Sequence, residues 1–337
     1  MNGIDGTERS HVLDAVAVLT RGGLVAFPTE TVYGLGADAS NAEAVARIFR
    51  VKGRPAGHPL IVHVAGIEDL GRFAETLPAS ALRLAEALWP GPLTVVVPRA
   101  DHVPAVVAGG HRTIAVRAPA HPVAQELLQA FGGGMAAPSA NRFGRVSPTT
   151  AADVRADLGD DVDLILDGGA CQVGVESTIV DCTGDQVVLL RPGGVPVEVL
   201  EGVLGAQVRR QAGPGAPAAP GTLAAHYAPR ARVVVAATVD EAVALAVATG
   251  GRTGLLLPGT AAAPPGVALL VADDDPAGYA RALYASLRRA DRLGLDLVIA
   301  VPPVEEGVGV AVADRLRRAA AATDTSATRH EKGDTAR

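Results

Sequence analysis

The chain has 337 residues, of which 48% are apolar, 20% charged and 3% aromatic. That length and apolar share suit two buried cores better than one, and they exclude a disordered polyelectrolyte or an aromatic platform for single-stranded nucleic acid. The formal charge of −6 argues against binding nucleic acid mainly by phosphate neutralisation, and two cysteines, Cys171 and Cys182, exclude a disulfide scaffold or a cysteine-only zinc site.

The N-terminal stretch MNGIDGTERS lacks a basic segment followed by an apolar run, so no signal peptide is expected. No apolar run approaches the roughly 18–20 residues of a membrane span, and a soluble, cytoplasmic protein is expected. Residues 11–21 read as an amphipathic helix ended by Gly22-Gly23, and LVAFPT follows as a short strand. A second helix is expected from Ser40 to Arg50, with Ser40 as N-cap and Glu43 completing a capping box. Strands are expected at 60–65, 93–98, 113–119, 164–169, 177–183 and 187–193, with helices at 79–88 and 121–131 between them. Strands interleaved with helices predict an α/β fold.

Residues 211–222, QAGPGAPAAPGT, are rich in Pro, Gly and Ala without periodicity and read as a stiff linker. A second alternation follows: strand ARVVVAA, helix 239–249, strands TGLLLPG and VALLVAD, a long helix near 276–293, strand LDLVIAVP and helix 309–321. This is a small doubly wound unit. The expected division is 1–207 for the first domain, 208–229 for a linker, 230–322 for the second domain, and a polar, disordered tail at 323–337.

Several signals fail. There is no Gly-Lys dipeptide, hence no P-loop, and no H-E-x-x-H or G-x-S-x-G. Gly132 to Ala137 fits G-x-G-x-x-A but follows a helix rather than a strand. Other signals point to a polar site. Thr29 and Thr31 lie in PTETVYGLG, directly after a buried strand. Lys52 and Arg54, flanking Gly53 with His58 and His63 beyond, read as a two-cation clamp on an extended segment, or as a solvated charge run at a helix end. Lys52 is one of only two lysines, the other being Lys332 near the C-terminus, in a chain that otherwise uses arginine. Ser139 and Asn141 alternate in APSAN, with Ser147 beyond, and Asn141 is one of three asparagines. Glu176-Ser177-Thr178 opens a strand. Arg191 lies in LLRPGG, and Arg112 and Arg117 flank the strand TIAVRAP; an inward arginine there calls for an anion, and taken singly each also reads as a surface side chain.

In this order, FPTETVYGLGADA, KGRP with HPLIVH, PGPLTVVV, RAPAHP, APSANRFGRVSP, VESTIVD and LLRPGG closely resemble the threonylcarbamoyl-AMP synthase family of YrdC-type enzymes, over residues 10–205. PGTLAAHYAP and the remainder resemble the linker and the Rossmann-like C-terminal domain of its longer members. The resemblance implies a YrdC-like twisted open mixed sheet joined to a smaller Rossmann-like α/β domain. It implies condensation of L-threonine, bicarbonate or CO2 and ATP into L-threonylcarbamoyladenylate and pyrophosphate. Mg²⁺ would accompany ATP without direct side-chain ligation. The product would pass to a separate tRNA threonylcarbamoyl-transferase complex, and a contact with tRNA is a further partner the resemblance suggests.

Carried over residue by residue, the resemblance assigns Thr31, His63, Arg117, Ala137 and Ser177 to L-threonine. It assigns Lys52, Arg54, His58, Thr113, Ser139, Asn141, Ser147, Arg191 and Tyr227 to ATP, with His226 as a further linker contact. Leu223, Ala224 and Ala225 stand where longer members carry basic and aromatic residues, and His58 stands where others often have Lys, Arg or Asn. Two alternatives come from other classes: a non-catalytic RNA-binding module of the same fold, and carbamoyl transfer to another acceptor, as in hydrogenase maturation proteins.

Overall fold

The structure, a computed structural model, describes residues 4–5, 9–210, 217–221, 226–259 and 262–333. The chain divides into two compact units, Met1–Phe143 with Ser147–Thr222, and Gly144–Val146 with Leu223–Arg337.

In the first unit the elements are β1 (Ile4–Asp5), α1 (Arg9–Thr20), β2 (Val25–Phe27), β3 (Gly34–Asp38), α2 (Ala42–Lys52), β4 (Ile61–His63), α3 (Ala79–Leu88), β5 (Leu93–Pro98), β6 (Thr113–Arg117), α4 (Pro122–Phe131), β7 (Met135–Ala136), α5 (Ala151–Leu158), β8 (Leu164–Asp167), β9 (Thr178–Asp181), β10 (Val188–Arg191) and α6 (Val197–Leu204). The ten strands form one mixed sheet in the order β1-β8-β2-β3-β7-β4-β6-β5-β9-β10. Strand alternation divides its side chains between two faces. Val62, Ile114, Val116, Val95, Val97 and Val180 enter the main core, together with Ala44, Val45 and Ile48 of α2 and Leu84 of α3. On the opposite face, Val25, Phe27, Met135 and Ala137 pack with Val12, Ala15 and Leu19 of α1 and Leu127 and Leu128 of α4. Farther along that second face, over β4, β6, β5 and β9, the apolar group shrinks to Ile61, Val96, Ala115 and Ile179 with Ala219. That stretch carries the candidate site.

Three local features differ from expectation. The N-cap of α2 is Asn41, not Ser40: the Asn41 side chain accepts from the N–H groups of Glu43 and Ala44, while Ser40 donates to Asp38. An amide oxygen one residue closer to the first turn wins the cap, because it reaches two orphan N–H groups. Lys52 is not on an extended segment. It is the last residue of α2, and Gly53, with φ of 64°, closes the helix in the left-handed region. Finally, GLGAD at 34–38 forms β3, a central strand, and no strand was expected there. A Cβ on Gly36 would lie 2.7 Å from Met135 Cε, so neighbouring side chains fill the space that a larger residue would need.

The second unit contains β11 (Arg232–Val235), α7 (Val239–Thr249), β12 (Thr253–Pro258), β13 (Ala268–Asp273), α8 (Pro276–Arg292), β14 (Leu297–Ala300) and α9 (Gly309–Gly333). Its four strands are all parallel, in the order β11-β14-β12-β13. Runs such as VVV and LVIA suit strands covered on both faces. α8 starts with Asp275 as N-cap and Pro276 in the first turn. α9 runs on through Gly333, into the stretch read as a tail, and residues 334–337 lie outside the described residues, as do 211–216 and 222–225 of the expected linker.

Candidate active site

Four adjacent strands bring polar side chains to the second face of the large sheet. His63 at the end of β4 pairs in register with Arg117 at the end of β6. Thr94 on β5 and Ser177, just before β9, adjoin them, and their hydroxyls lie 2.8 Å apart. The alternation in TIAVR explains the placement. Ile114 and Val116 enter the main core, so Thr113, Ala115 and Arg117 point to the other side.

Arg117 is 4% exposed and ion-paired at 2.6 Å with Glu30. Its Nη1 donates to Thr31 Oγ1 at 2.9 Å, and its Nε donates to the Gly91 carbonyl at 3.3 Å. The anion that this buried arginine calls for is therefore Glu30, whose other oxygen accepts from the Ala120 N–H. Three of the five guanidinium donors are engaged, and among the described residues the other two have no partner. Thr29 donates its only hydroxyl proton to the Val32 carbonyl, so in the 2.8 Å pair between Thr29 and Thr31 the donor is Thr31. Thr31 thus faces a ligand only as an acceptor. His63 is 4% exposed, and its Nδ1 has no hydrogen-bond partner among the described residues. Burial, with the Arg117 charge nearby, pushes its imidazole down to about 3, so the ring is neutral near pH 7.

Arg191, at the end of β10, donates to the Ser177 carbonyl and hydroxyl and to the Pro220 carbonyl. Ser147 donates to Glu176 at 2.7 Å. Gly193 is required beside them, because a Cβ there would lie 2.3 Å from the Ser177 carbonyl carbon. The N–H of Ala137 is spent on the Ile61 carbonyl, which leaves its own carbonyl for a backbone contact.

A second group lies toward the amino ends of β4 and β6. The Lys52 ammonium, 3% exposed, donates to the carbonyls of Ser139 and Asn141, both at 2.5 Å, and more weakly to Asn141 Oδ1 at 3.5 Å. Burial, together with the Arg54 charge, lowers the pKa of Lys52 well below the ordinary lysine value. Arg54 is also buried. It donates to the carbonyls of His58 and Pro59 and lies 5.6 Å from the Phe143 ring centroid. His58 is half-buried, meets the same ring edge-on, and is lowered in pKa by desolvation and by Arg54. Thr113 is half-buried at the start of β6. The two groups are tied together: Gly34 bridges to Ser139, and Tyr33 exchanges backbone bonds with Pro148 and Ala140.

His226 and Tyr227 belong to the second unit. Tyr227 is buried, with φ of 64°, its ring stacked on Tyr284 and the Arg315 guanidinium 5.1 Å from its centroid.

Comparison with known proteins identifies what this arrangement belongs to. The Sua5_yciO_yrdC family, described as Telomere recombination, matches residues 17–193, and the Threonylcarbamoyl-AMP synthase C-terminal domain matches residues 195–321. Threonylcarbamoyl-AMP synthase of Pyrococcus abyssi is 43% identical over 90% of this chain and 92% of its own length. The Bacillus subtilis protein of the same name is 38% identical over 93% and 94%. The crystal structure of Pyrococcus abyssi Sua5 complexed with L-threonine superposes with a TM-score of 0.86 at 42% identity, covering 94% of this chain and 96% of that one. The chain belongs to the threonylcarbamoyl-AMP synthase family. It is an enzyme, a transferase that joins L-threonine, bicarbonate or CO2 and ATP into threonylcarbamoyl-AMP with release of pyrophosphate, and the catalytic reading stands over the RNA-binding module.

In this family member, two polar residues of the site, Glu30 and Thr94, escaped the sequence reading, and Glu176, noted there beside Ser177, was given no role. Each had a faint signal. Glu30 is the only charged residue in PTETVYGLG, Thr94 interrupts the apolar run LTVVV, and Glu176 is the second residue of VESTIVD.

Proposed function

We propose that L-threonine sits against Thr31, His63, Arg117, Ala137 and Ser177, with its carboxylate on the two unengaged donors of Arg117. The single observation that carries this reading is the buried Arg117 guanidinium, oriented on three sides and open on two donors. Thr31 as an acceptor suits the substrate ammonium or hydroxyl. The unpartnered Nδ1 of His63 suits a polar ligand atom.

The triphosphate belongs beside Lys52, Arg54, His58, Thr113, Ser139, Asn141, Ser147 and Arg191, and Tyr227 and His226 are assigned to the nucleotide side on the family resemblance alone. Mg²⁺ is expected to arrive with ATP, held by its phosphate oxygens. When bound, it would offset charge on the departing pyrophosphate. A separate complex takes the product to tRNA. A cytoplasmic location belongs to the same reading; no helix among the described residues is long and apolar enough to cross a membrane.

The chemistry needs no protein nucleophile. The threonine nitrogen bonds to the carbon of CO2, giving a carbamate and releasing a proton. A carbamate oxygen then bonds to the α-phosphorus, and the bond from that phosphorus to the β-phosphate oxygen breaks. Holding the two anions together can lower such a barrier by roughly 7–11 kcal/mol in favourable cases. Preorganised cations stabilise the charge that shifts onto pyrophosphate.

The test is pyrophosphate release in the presence of ATP, with threonine and bicarbonate omitted singly and together. Release that needs all three, with a raised KM for threonine in Arg117→Ala, is the expected result. Equal release without threonine, or an unchanged threonine KM in Arg117→Ala, overturns the assignment.

A further inference from the structure

We propose that Glu30 is a positioning residue for the amino-acid substrate, acting through Arg117; this rests on the reading that Arg117 takes the threonine carboxylate. Glu30 is 7% exposed, and both its oxygens are engaged, one by Arg117 Nη2 at 2.6 Å and one by the Ala120 N–H at 3.1 Å. Ala120 follows β6, the strand that carries Arg117, by three residues. One carboxylate therefore joins the arginine to the backbone just beyond its own strand. The Glu30 carbonyl accepts from the Val173 N–H, which holds the backbone of residue 30 in place.

An arginine side chain has four rotatable bonds and would wander if only its stem were packed. Here the Gly91 carbonyl, Thr31 Oγ1 and Glu30 Oε1 take one donor from each of the three guanidinium nitrogens, so the plane is set from three directions. Glu30 supplies the only charged contact of the three. It also offsets the guanidinium charge where water is excluded, and so keeps Arg117 from drifting toward phosphate oxygens at the wrong subsite. Thr31 and Glu30 are neighbours in one turn, so the first motif orients the arginine twice.

The experiment measures KM for threonine and for ATP, kcat, and the thermal midpoint of the full chain in Glu30→Gln, Glu30→Asp, Arg117→Ala and the double variant Glu30→Gln/Arg117→Ala. In Glu30→Gln the threonine KM is expected to rise roughly tenfold or more, the size of losing one charged hydrogen bond, while the ATP KM stays within about twofold. Glu30→Asp keeps the charge but shortens the reach, and should fall between wild type and Glu30→Gln. The double variant should be no worse for threonine than Arg117→Ala alone, because Glu30 works through the arginine. An unchanged threonine KM in Glu30→Gln overturns the proposal. A lower one does so too, by showing that Glu30 competes with substrate for Arg117. Equal rises in both KM values, or a further loss in the double variant, would assign Glu30 a general structural role and overturn it as well. If Arg117→Ala leaves the threonine KM unchanged, the underlying site assignment fails instead. Should Glu30→Gln not fold, the comparison of Glu30→Asp with Arg117→Ala decides the same question.

Discussion

The Lys52 ammonium lies 2.5 Å from the backbone carbonyl oxygen of Asn141, and the same distance from that of Ser139. The only lysine of the first unit is thus a clasp between the end of α2 and the APSAN segment. The ammonium reaches both carbonyls from a single atom, whereas a longer, planar guanidinium would have to displace the segment to present its donors at the same point. The third donor is weakly bonded, to Asn141 Oδ1 at 3.5 Å, and on the proposed reading it is the one left for a phosphate oxygen.

Lys52→Met should therefore lose stability as well as activity. Two buried carbonyls would be left without their donor, at about 1–3 kcal/mol each before relaxation. Thermal melting should show a drop of about 2–4 °C for each kcal/mol lost, and pyrophosphate release should fall by about 10² or more. Lys52→Arg should not restore either. A variant with wild-type melting and turnover would remove the clasp from the account.

Arg54→Ala should separate the two effects. Arg54 donates to the carbonyls of His58 and Pro59 on its own loop and meets the Phe143 ring at 5.6 Å, so its contact with another segment is a ring contact rather than a pair of short hydrogen bonds. Turnover should fall by about 10², the scale of losing a key charged contact, with a melting shift smaller than that of Lys52→Met. A larger melting shift in Arg54→Ala would reverse the ranking.

Gly193→Ala tests the loop after β10. The added carbon would meet the Ser177 carbonyl carbon at 2.3 Å and the Glu176 carbonyl oxygen at 2.4 Å, both backbone atoms that cannot swing aside. Ser177 and its bonds to Thr94 and Arg191 must shift. Overpacking of this kind costs about 1–3 kcal/mol, and the threonine KM should rise with it. Gly202→Ala, inside α6 with nothing near the added carbon, is the control: it should leave the threonine KM unchanged and stabilise the helix by up to about 1 kcal/mol.

Stability should fall on mild acidification, in part through His63. The ring is neutral in the folded state, its value pushed down to about 3, whereas the unfolded chain binds a proton below the ordinary value of 6.5. Its share of stability is complete above about pH 6.5 and declines by about 1.4 kcal/mol per pH unit as the pH falls toward 3. His58 and His121, both lowered by burial, act in the same sense just below 6.5. Urea unfolding of His63→Gln between pH 7 and pH 5 should show a shallower decline than wild type, by about 2 kcal/mol over that span. Parallel declines would mean that His63 is solvated.

Much of the fold was legible along the chain. Residues 79–88 and 239–249 form helices with the expected bounds, and LTVVVP is β5 from end to end. Period and punctuation suffice for such segments because their neighbours agree with the local preference. GLGAD was not legible as β3, since its glycines are demanded by Phe27 on the neighbouring strand and by Met135, which lies about a hundred residues away in sequence. The cap of α2 was missed by one residue for a related reason: Ser40 and Asn41 are both good caps, and the engagement of Ser40 by Asp38 settles which of them serves.

For the site, ordered motifs marked most of the polar residues brought together here, because their side-chain types are what an amino acid and a triphosphate require. Residue order could not say which of them touch. That Glu30 answers the charge of Arg117, that Lys52 is held by carbonyls, and that Thr31 has already given away its proton are consequences of ten strands folding into one sheet. Hydrogen bonds have direction and burial removes water as a substitute partner, so each such pairing exists only once the strands have set the distances.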